Sequence, residues 1–519
     1  LLFHSPVFVF LFLPVCLAGF YGLGRLDRRA AGLWLVLCSL TFYGWWDPSS
    51  VPLLAATVLF NYAFGRMIAR TAKRPQLQST LLGIGVAADL ALLGYCKYLA
   101  PLLQDLGALH WIAAGTTVDA PLPLGVSFFT ITQIMYLIDC QQRAASERRL
   151  LDFALFGTFF PNLISGPIVH RHEVMPQFTA PETYRLKAEN LSVGMTIFVL
   201  GLGKKALLAD PIAPYADAGF RQPDTLQLFG AWGACLAFAL QLYFDFSGYS
   251  DMAIGLARMF GIRLPLNFAS PYKAASIIDY WQRWNMTLTR FFTLYLYNPL
   301  ALRIARRRAA RNIATGRNAA PGAFMTTVAF PTFVTMSAIG IWHGAGLQFL
   351  CFGLLHAAYI TANHIWRSFG SKRRNNKTAR SGLTGQVRRG AAVLATFLAV
   401  VVAQAFFRAA STDAAIDMVA ALFGLHGLSW PGWELPMTAT RTSIAGWPQI
   451  ALLLGIVWAF PNTQEIMANY EPALDPVQAS AWSWLAWRPS WPWAIVIGLI
   501  FIFSIEGISR SRSFLYFQF

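Results

Sequence analysis

The sequence predicts an all-α, polytopic membrane protein, and three observations carry that prediction. Hydrophobic residues make up 56% of the 519 positions against 13% charged, and mean hydropathy is +0.47, far too apolar for a water-soluble chain of this size. Apolar stretches recur along the whole length. The basic residues, which give a formal net charge of +17, are grouped in short connections between those stretches. Such grouping marks cytoplasmic loops of a membrane protein. It makes membrane lipid the partner and sets aside nucleic acid.

Taken in order, the apolar stretches cover residues 7–21, 33–45, 51–64, 81–95, 193–207, 228–242, 391–407, 450–460 and 493–505. A span needs about 17–25 residues counting its less apolar ends, so about eleven to thirteen membrane-embedded helices are expected, some short or re-entrant. The first stretch runs into Arg25-Leu26-Asp27-Arg28-Arg29 with no small-residue cleavage site, and is read as a retained span. No soluble domain of appreciable size is left over, so residues 1–519 are expected to form a single membrane domain.

The basic groups set the topology. Arg25, Arg28 and Arg29, then Arg66, Arg70, Lys73 and Arg74, then Arg143, Arg148 and Arg149 mark cytoplasmic loops, with the N-terminus outside. The densest groups are Arg303, Arg306, Arg307, Arg308, Arg311 and Arg317, followed by Lys372, Arg373, Arg374, Lys377, Arg380, Arg388 and Arg389. If both are cytoplasmic, residues 321–366 cross an even number of times, simplest as a hairpin bent near Trp342-His343-Gly344. Residues 443–487 hold no Lys or Arg, which leaves the orientation of the C-terminal third open. Six cysteines, Cys16, Cys38, Cys96, Cys140, Cys235 and Cys351, stand singly in apolar sequence and read as small buried hydrophobes.

Three regions are too rich in Pro, Gly or polar residues for plain spans and too apolar for solvated loops. They are Pro121-Leu122-Pro123-Leu124-Gly125-Val126-Ser127, then Pro161-Asn162-Leu163-Ile164-Ser165-Gly166-Pro167 with His170-Arg171-His172, and residues 240–251. Proline and glycine favour bent backbone in the first two. His170 and His172 lack a third ligand at a recognisable spacing, so no metal is expected. In the third, Asp245 and Asp251 fall inside apolar sequence and need partners. Asp245 has two readings: a scaffold group bonded to hydroxyls or an arginine, or part of the chemistry.

Residues 277–295 are amphipathic. At helical periodicity Ile277, Ile278, Trp281, Trp284, Leu288, Phe291, Phe292 and Tyr295 share one face, with Arg283 and Arg290 opposite. Asn285 falls inside the apolar arc and so points inward, where an amide needs a partner. His343, in Ile341-Trp342-His343-Gly344-Ala345-Gly346, is an ionisable residue between two membrane-length segments. Function is the default hypothesis for such a residue; a histidine bonded to a carbonyl in a helix bundle is the alternative.

Asp279-Tyr280-Trp281-Gln282-Arg283-Trp284-Asn285 followed by Trp342-His343-Gly344 resembles the membrane-bound O-acyltransferase family. Pro123-Leu124-Gly125-Val126-Ser127-Phe128-Phe129-Thr130, Ser165-Gly166-Pro167-Ile168, residues 243–255, Asn267-Phe268-Ala269-Ser270-Pro271-Tyr272 and the ending Phe514-Leu515-Tyr516-Phe517-Gln518-Phe519 are similar to its bacterial polysaccharide branch, which includes alginate O-acetyltransferases. The similarity covers nearly the whole chain. One departure is Asn285, where alginate-type members usually have His.

The resemblance implies the family's fold with a central tunnel, a core for the chemistry within residues 121–366, and His343 and Asn285 as the catalytic pair. Trp281, Trp284, Trp342, Gly344, Asp245 and Ser247 are the candidates for lining the tunnel or touching substrate. No bound cofactor is implied. The donor would be acyl-CoA, most simply acetyl-CoA. The acceptor would be a surface polysaccharide or an extracytoplasmic, esterase-like protein that carries the acetyl group onward, in a bacterial cytoplasmic (inner) membrane. His343 would be the general base, Asn285 would orient it or stabilise the oxyanion, and the arginine groups could draw CoA phosphates. The competing readings are D-alanyl or lipid acyl transfer, and a non-enzymatic glycan-export or transport subunit.

Overall fold

Helix is the only regular element that satisfies every backbone group within its own segment in lipid, and the computed structural model, which describes residues 2–108, 122–143, 149–312, 321–370, 383–428, 446–508 and 514–515, is built from helices. Among the described residues there is no strand, only an isolated bridge between Phe268 and Trp284. Six helices among the described residues are long and apolar enough to cross a membrane, or up to seven if a bent helix pair counts as one span; shorter apolar helices cover Phe8–Gly24 and Trp491–Gly507. The protein is thus an all-α polytopic membrane protein. Pro121, Arg148, Arg317, residues 371–382 with their basic group, and 516–519 lie outside the described residues.

Local sequence sets where the helices begin. The Asp27 carboxylate accepts the Arg29 amide at 3.0 Å and caps Arg28–Gly44. Proline occupies the first turn of Val51–Arg70 and of Pro75–Leu93, where its missing N–H costs nothing.

The described residues fall into two compact units. The first comprises Leu1–Leu207, Asp245–Leu266 and Thr463–Gln518. In it Val126–Arg143 packs on Val51–Arg70 and Pro75–Leu93 around a buried polar knot: the Asn61 amide donates to Asp89 at 2.9 Å and to Gln133 at 3.1 Å, and Gln133 donates to Thr57 at 3.0 Å. A second contact joins helix Ala188–Gly203 to residues 245–259 without side chains between the backbones. A Cβ at Gly194 would lie 2.6 Å from the Gly255 carbonyl, and one at Gly201 2.6 Å from that of Gly248. One turn further, Lys204 reaches Asp251 and Lys205 reaches Asp245, both at 2.6 Å.

The second unit comprises Leu208–Phe244 and Asn267–Asn462. Its elements are the first part of α1 (Leu228–Met259), then α2 (Ile277–Trp281), α3 (Met286–Phe292), α4 (Phe330–His343), α5 (Leu347–Gly370) and α6 (Leu383–Arg408). Tyr272 ties several of these together: its hydroxyl donates to the Ala239 carbonyl at 2.8 Å, Gln404 donates to that hydroxyl at 3.2 Å, and Trp458 donates to the Tyr272 carbonyl at 3.1 Å.

The expected hairpin is present. α4 ends at His343, α5 starts at Leu347, and the two pack along their length. At their crossing a Cβ on Gly340 would meet the Phe349 carbonyl at 2.3 Å, and one on Gly353 would meet that of Met336 at 2.3 Å.

Candidate active site

The amphipathic segment 277–295 is not one helix. α2 stops at Trp281 and α3 restarts at Met286, with Asn285 between them in the left-handed region at φ 42°. Asparagine is among the few side chains that visit this region readily. The break is fixed by residues 267–269 running alongside it. Ala269 donates to the Arg283 carbonyl at 3.0 Å, Met286 donates to the Asn267 carbonyl at 3.0 Å, and the Asn267 side chain accepts the Thr287 hydroxyl at 2.9 Å. The inward face survives the break: Trp281, Trp284, Leu288, Phe291 and Phe292 are buried, as expected.

Asn285 is buried at 1% exposure, and among the described residues neither its amide nitrogen nor its amide oxygen has a hydrogen-bond partner. Burying an amide unbonded costs about 1–3 kcal/mol. The fold therefore holds a donor and an acceptor in reserve at this point.

His343 is the last residue of α4 and is 4% exposed. Its ring packs against Trp342 at 4.9 Å, Phe407 of α6 at 5.0 Å and Phe352 of α5 at 6.1 Å between centroids. The bend after it is tight because a Cβ on Gly344 would lie 2.1 Å from the Phe349 ring. What comes close to Gly344 is therefore a ring of the chain itself.

Asn285 and His343 belong to the same unit, and a run of ring contacts leads from one to the other. His343 touches Phe352, which touches His356 at 4.6 Å; His356 touches Tyr280 at 6.2 Å, and Tyr280 stacks on Trp284, next to Asn285, at 5.7 Å. His356 was not singled out in the sequence, although an ionisable residue in the apolar run of α5 was a visible signal. Beside these rings lies a cavity of about 400 Å³ walled by α2, α3, α4 and α5, with Trp281, Phe292, Thr335, Met336, Ile339 and Ile360 among its lining residues. Trp281 was an expected lining residue; Trp284 and Trp342 are buried.

Asp245 and Ser247 belong to the first unit. Lys205 holds Asp245 on one oxygen and the Leu515 amide donates to the other at 2.9 Å. Asp251 is likewise held by Lys204 and by Gln464 at 2.9 Å. Both carboxylates thus pair with lysines, partners that the sequence reading did not anticipate. The Ser247 hydroxyl is buried with no partner.

The structure supplies the third group that the His170-Arg171-His172 pair lacked. Ligand atoms of Asp139, His170 and His172 lie within 4.8 Å of one another. Glu173 closes a capping box at the start of Arg171–Thr179, its carboxylate accepting the His170 backbone N–H at 3.0 Å. All the cysteines but Cys351 are buried, as the sequence reading expected.

An all-helical, multi-pass membrane protein that holds a histidine and an unbonded asparagine amide in one buried aromatic setting belongs to the class of membrane-embedded enzymes. Comparison with known proteins makes this specific. Residues 67–316 match the model of the membrane-bound O-acyltransferase family. The chain is 36% identical over 457 residues to the peptidoglycan O-acetyltransferase of Helicobacter pylori, covering 83% of this chain and 81% of the relative. It is 33% identical over 532 residues to the probable alginate O-acetylase AlgI of Pseudomonas putida, covering both in full. A teichoic acid D-alanyltransferase of Bacillus subtilis is 25% identical over 253 residues, 48% of this chain and 60% of the relative. The chain belongs to the membrane-bound O-acyltransferase family and is an acyltransferase.

Proposed function

We propose that this enzyme transfers an acetyl group from cytoplasmic acetyl-CoA to a hydroxyl on the outer side of a bacterial inner membrane, the hydroxyl belonging to a cell-surface polysaccharide or to an esterase-like protein that passes the acetyl group on. His343 is the general base. It takes the hydroxyl proton as the oxygen adds to the thioester carbonyl, and gives that proton to the departing thiolate, a contribution of about 10²–10⁴-fold for such proton transfer. Asn285 orients the imidazole through its amide oxygen or donates its N–H₂ to the developing oxyanion. On this reading residues 121–366 carry the reacting groups within one membrane domain, residues 1–519.

The observation that carries the proposal is the Asn285 side chain, buried at 1% exposure with both amide atoms unbonded. An asparagine serving only as glue between helices would spend those atoms on a neighbouring helix. The named activities of the long matches, peptidoglycan O-acetyltransferase and alginate O-acetylase, favour acetyl transfer to a polysaccharide. D-alanyl transfer draws on a match to about half the chain at 25% identity and is the weaker reading.

The test is the O-acetyl ester content of surface polysaccharide from cells that depend on this protein. His343→Ala and Asn285→Ala at wild-type abundance should each reduce the ester content to background. Full acetylation with His343→Ala would remove the proposal.

A further inference from the structure

We infer that His356 is a second histidine of the reaction, presenting its Nε2–H as a hydrogen-bond donor to the carbonyl oxygen of the donor thioester. The inference rests on the acyl-transfer reading above and names one more group of that site.

His356 is fully buried, at 0% exposure, on α5. The Trp281 indole Nε1–H donates to its Nδ1 at 3.2 Å. An indole nitrogen can only donate, so Nδ1 must offer its lone pair, and the neutral imidazole then carries its proton on Nε2. That N–H is therefore a buried donor of fixed orientation, and Nε2 has no hydrogen-bond partner among the described residues. Trp281, which holds this ring, is itself a wall of the 400 Å³ cavity. Ile360, one turn further along α5, lines the same cavity, as does Thr335, whose hydroxyl is also buried and unbonded. Phe352 touches both histidine rings, at 6.1 Å for His343 and 4.6 Å for His356. His356 is thus joined to the cavity wall through Trp281 and to the proposed base through Phe352.

An acetyl thioester entering this apolar space brings one strong acceptor, its carbonyl oxygen, and the attack makes that oxygen an oxyanion. In the step, the acceptor oxygen forms the new C–O bond, the C–S bond breaks, and the hydroxyl proton moves through His343 to the thiolate. The His356 proton stays on Nε2 throughout. Its hydrogen bond tightens as negative charge develops, which is what lowers a barrier in a dry, preorganised site. Trp281 is a positioning residue here, acting by holding the His356 tautomer.

The experiment follows free CoA release from acetyl-CoA by purified full-length protein in nanodiscs supplied with an extract of surface polysaccharide and periplasmic protein as acceptor, for wild type, His343→Ala, His356→Phe, His356→Gln and Trp281→Phe at matched folded amounts. His356→Phe is expected to lower kcat about 10²-fold, with KM for acetyl-CoA within about threefold. His356→Gln, which keeps an N–H, should recover to within about tenfold of wild type, and Trp281→Phe should fall between the two. The pH at which kcat is half-maximal should stay at the wild-type value in both His356 variants, because a group that never gives up its proton sets no limb of the profile. If the Nε2–H instead points at the face of the Phe352 ring, His356→Phe will turn over within about threefold of wild type, and the inference is overturned. Should neither His356 variant fold, Trp281→Phe decides: reduced kcat supports the inference and unchanged kcat overturns it. Undiminished release by His343→Ala, or none by wild type, strikes at the acyl-transfer reading itself, separately from His356.

Discussion

Asn285 and Asp245 are both polar residues buried in apolar surroundings, and they behave oppositely because one is bonded and the other is not. Replacing Asn285 by Ala removes no hydrogen bond that the folded protein makes through that side chain. It should lower acetyl transfer by about 10²-fold while leaving the thermal unfolding midpoint in detergent level or slightly raised. Asp245→Ala breaks the buried ion pair with Lys205, which is 2% exposed, and should cost about 3–5 kcal/mol, read as a large drop in the same midpoint. Lys205→Met in addition should return part of that loss. At this scale Asn285 and His343 were conspicuous in the sequence, each a lone polar residue in an apolar run, and the structure buries both. It could not disclose the lysine partners of Asp245 and Asp251, because Lys204 and Lys205 lie some forty residues earlier and only the helix crossing brings them together. His356 was in view but looked like any core histidine until the Trp281 N–H fixed its tautomer.

Elements show a similar division. The bend near His343 followed from two membrane-length segments between basic groups, and α4 and α5 end and begin where the reading put them. The break at Asn285 did not follow, because the apolar face of 277–295 keeps its phase across it. Periodicity reports which side is buried and is blind to a single left-handed residue. The break depends instead on bonds from residues 267–269, a tertiary effect. The α4–α5 crossing gives a direct test of packing. With carbonyls 2.3 Å from a Cβ at Gly340 and at Gly353, Gly340→Val or Gly353→Val should force the helices apart and collapse the monodisperse peak in fluorescence-detected size exclusion. Gly22→Val, beside open space, should not.

For the whole molecule, hydropathy and the placement of Lys and Arg sufficed for the class of protein. Helices in lipid leave the chain few alternatives, so composition speaks loudly. Sidedness is the part still open to a simple check. The cytoplasmic reading of Arg25–Arg29 and of Arg66–Arg74 puts the connection at Asp47-Pro48-Ser49 outside. A membrane-impermeant maleimide should therefore label Ser49→Cys in intact spheroplasts, and Lys73→Cys only after lysis. The reverse pattern would invert the topology and with it the side from which donor and acceptor arrive.

The decisive measurement is transfer of radiolabelled acetyl from acetyl-CoA by the purified protein in nanodiscs, supplied with an extract of surface polysaccharide and periplasmic protein. Wild type should label the extract and release CoA in equal amounts, and His343→Ala, folded to the same extent, should do neither above background. Labelling that persists in His343→Ala would contradict the assignment of His343 as the base on which the account is built.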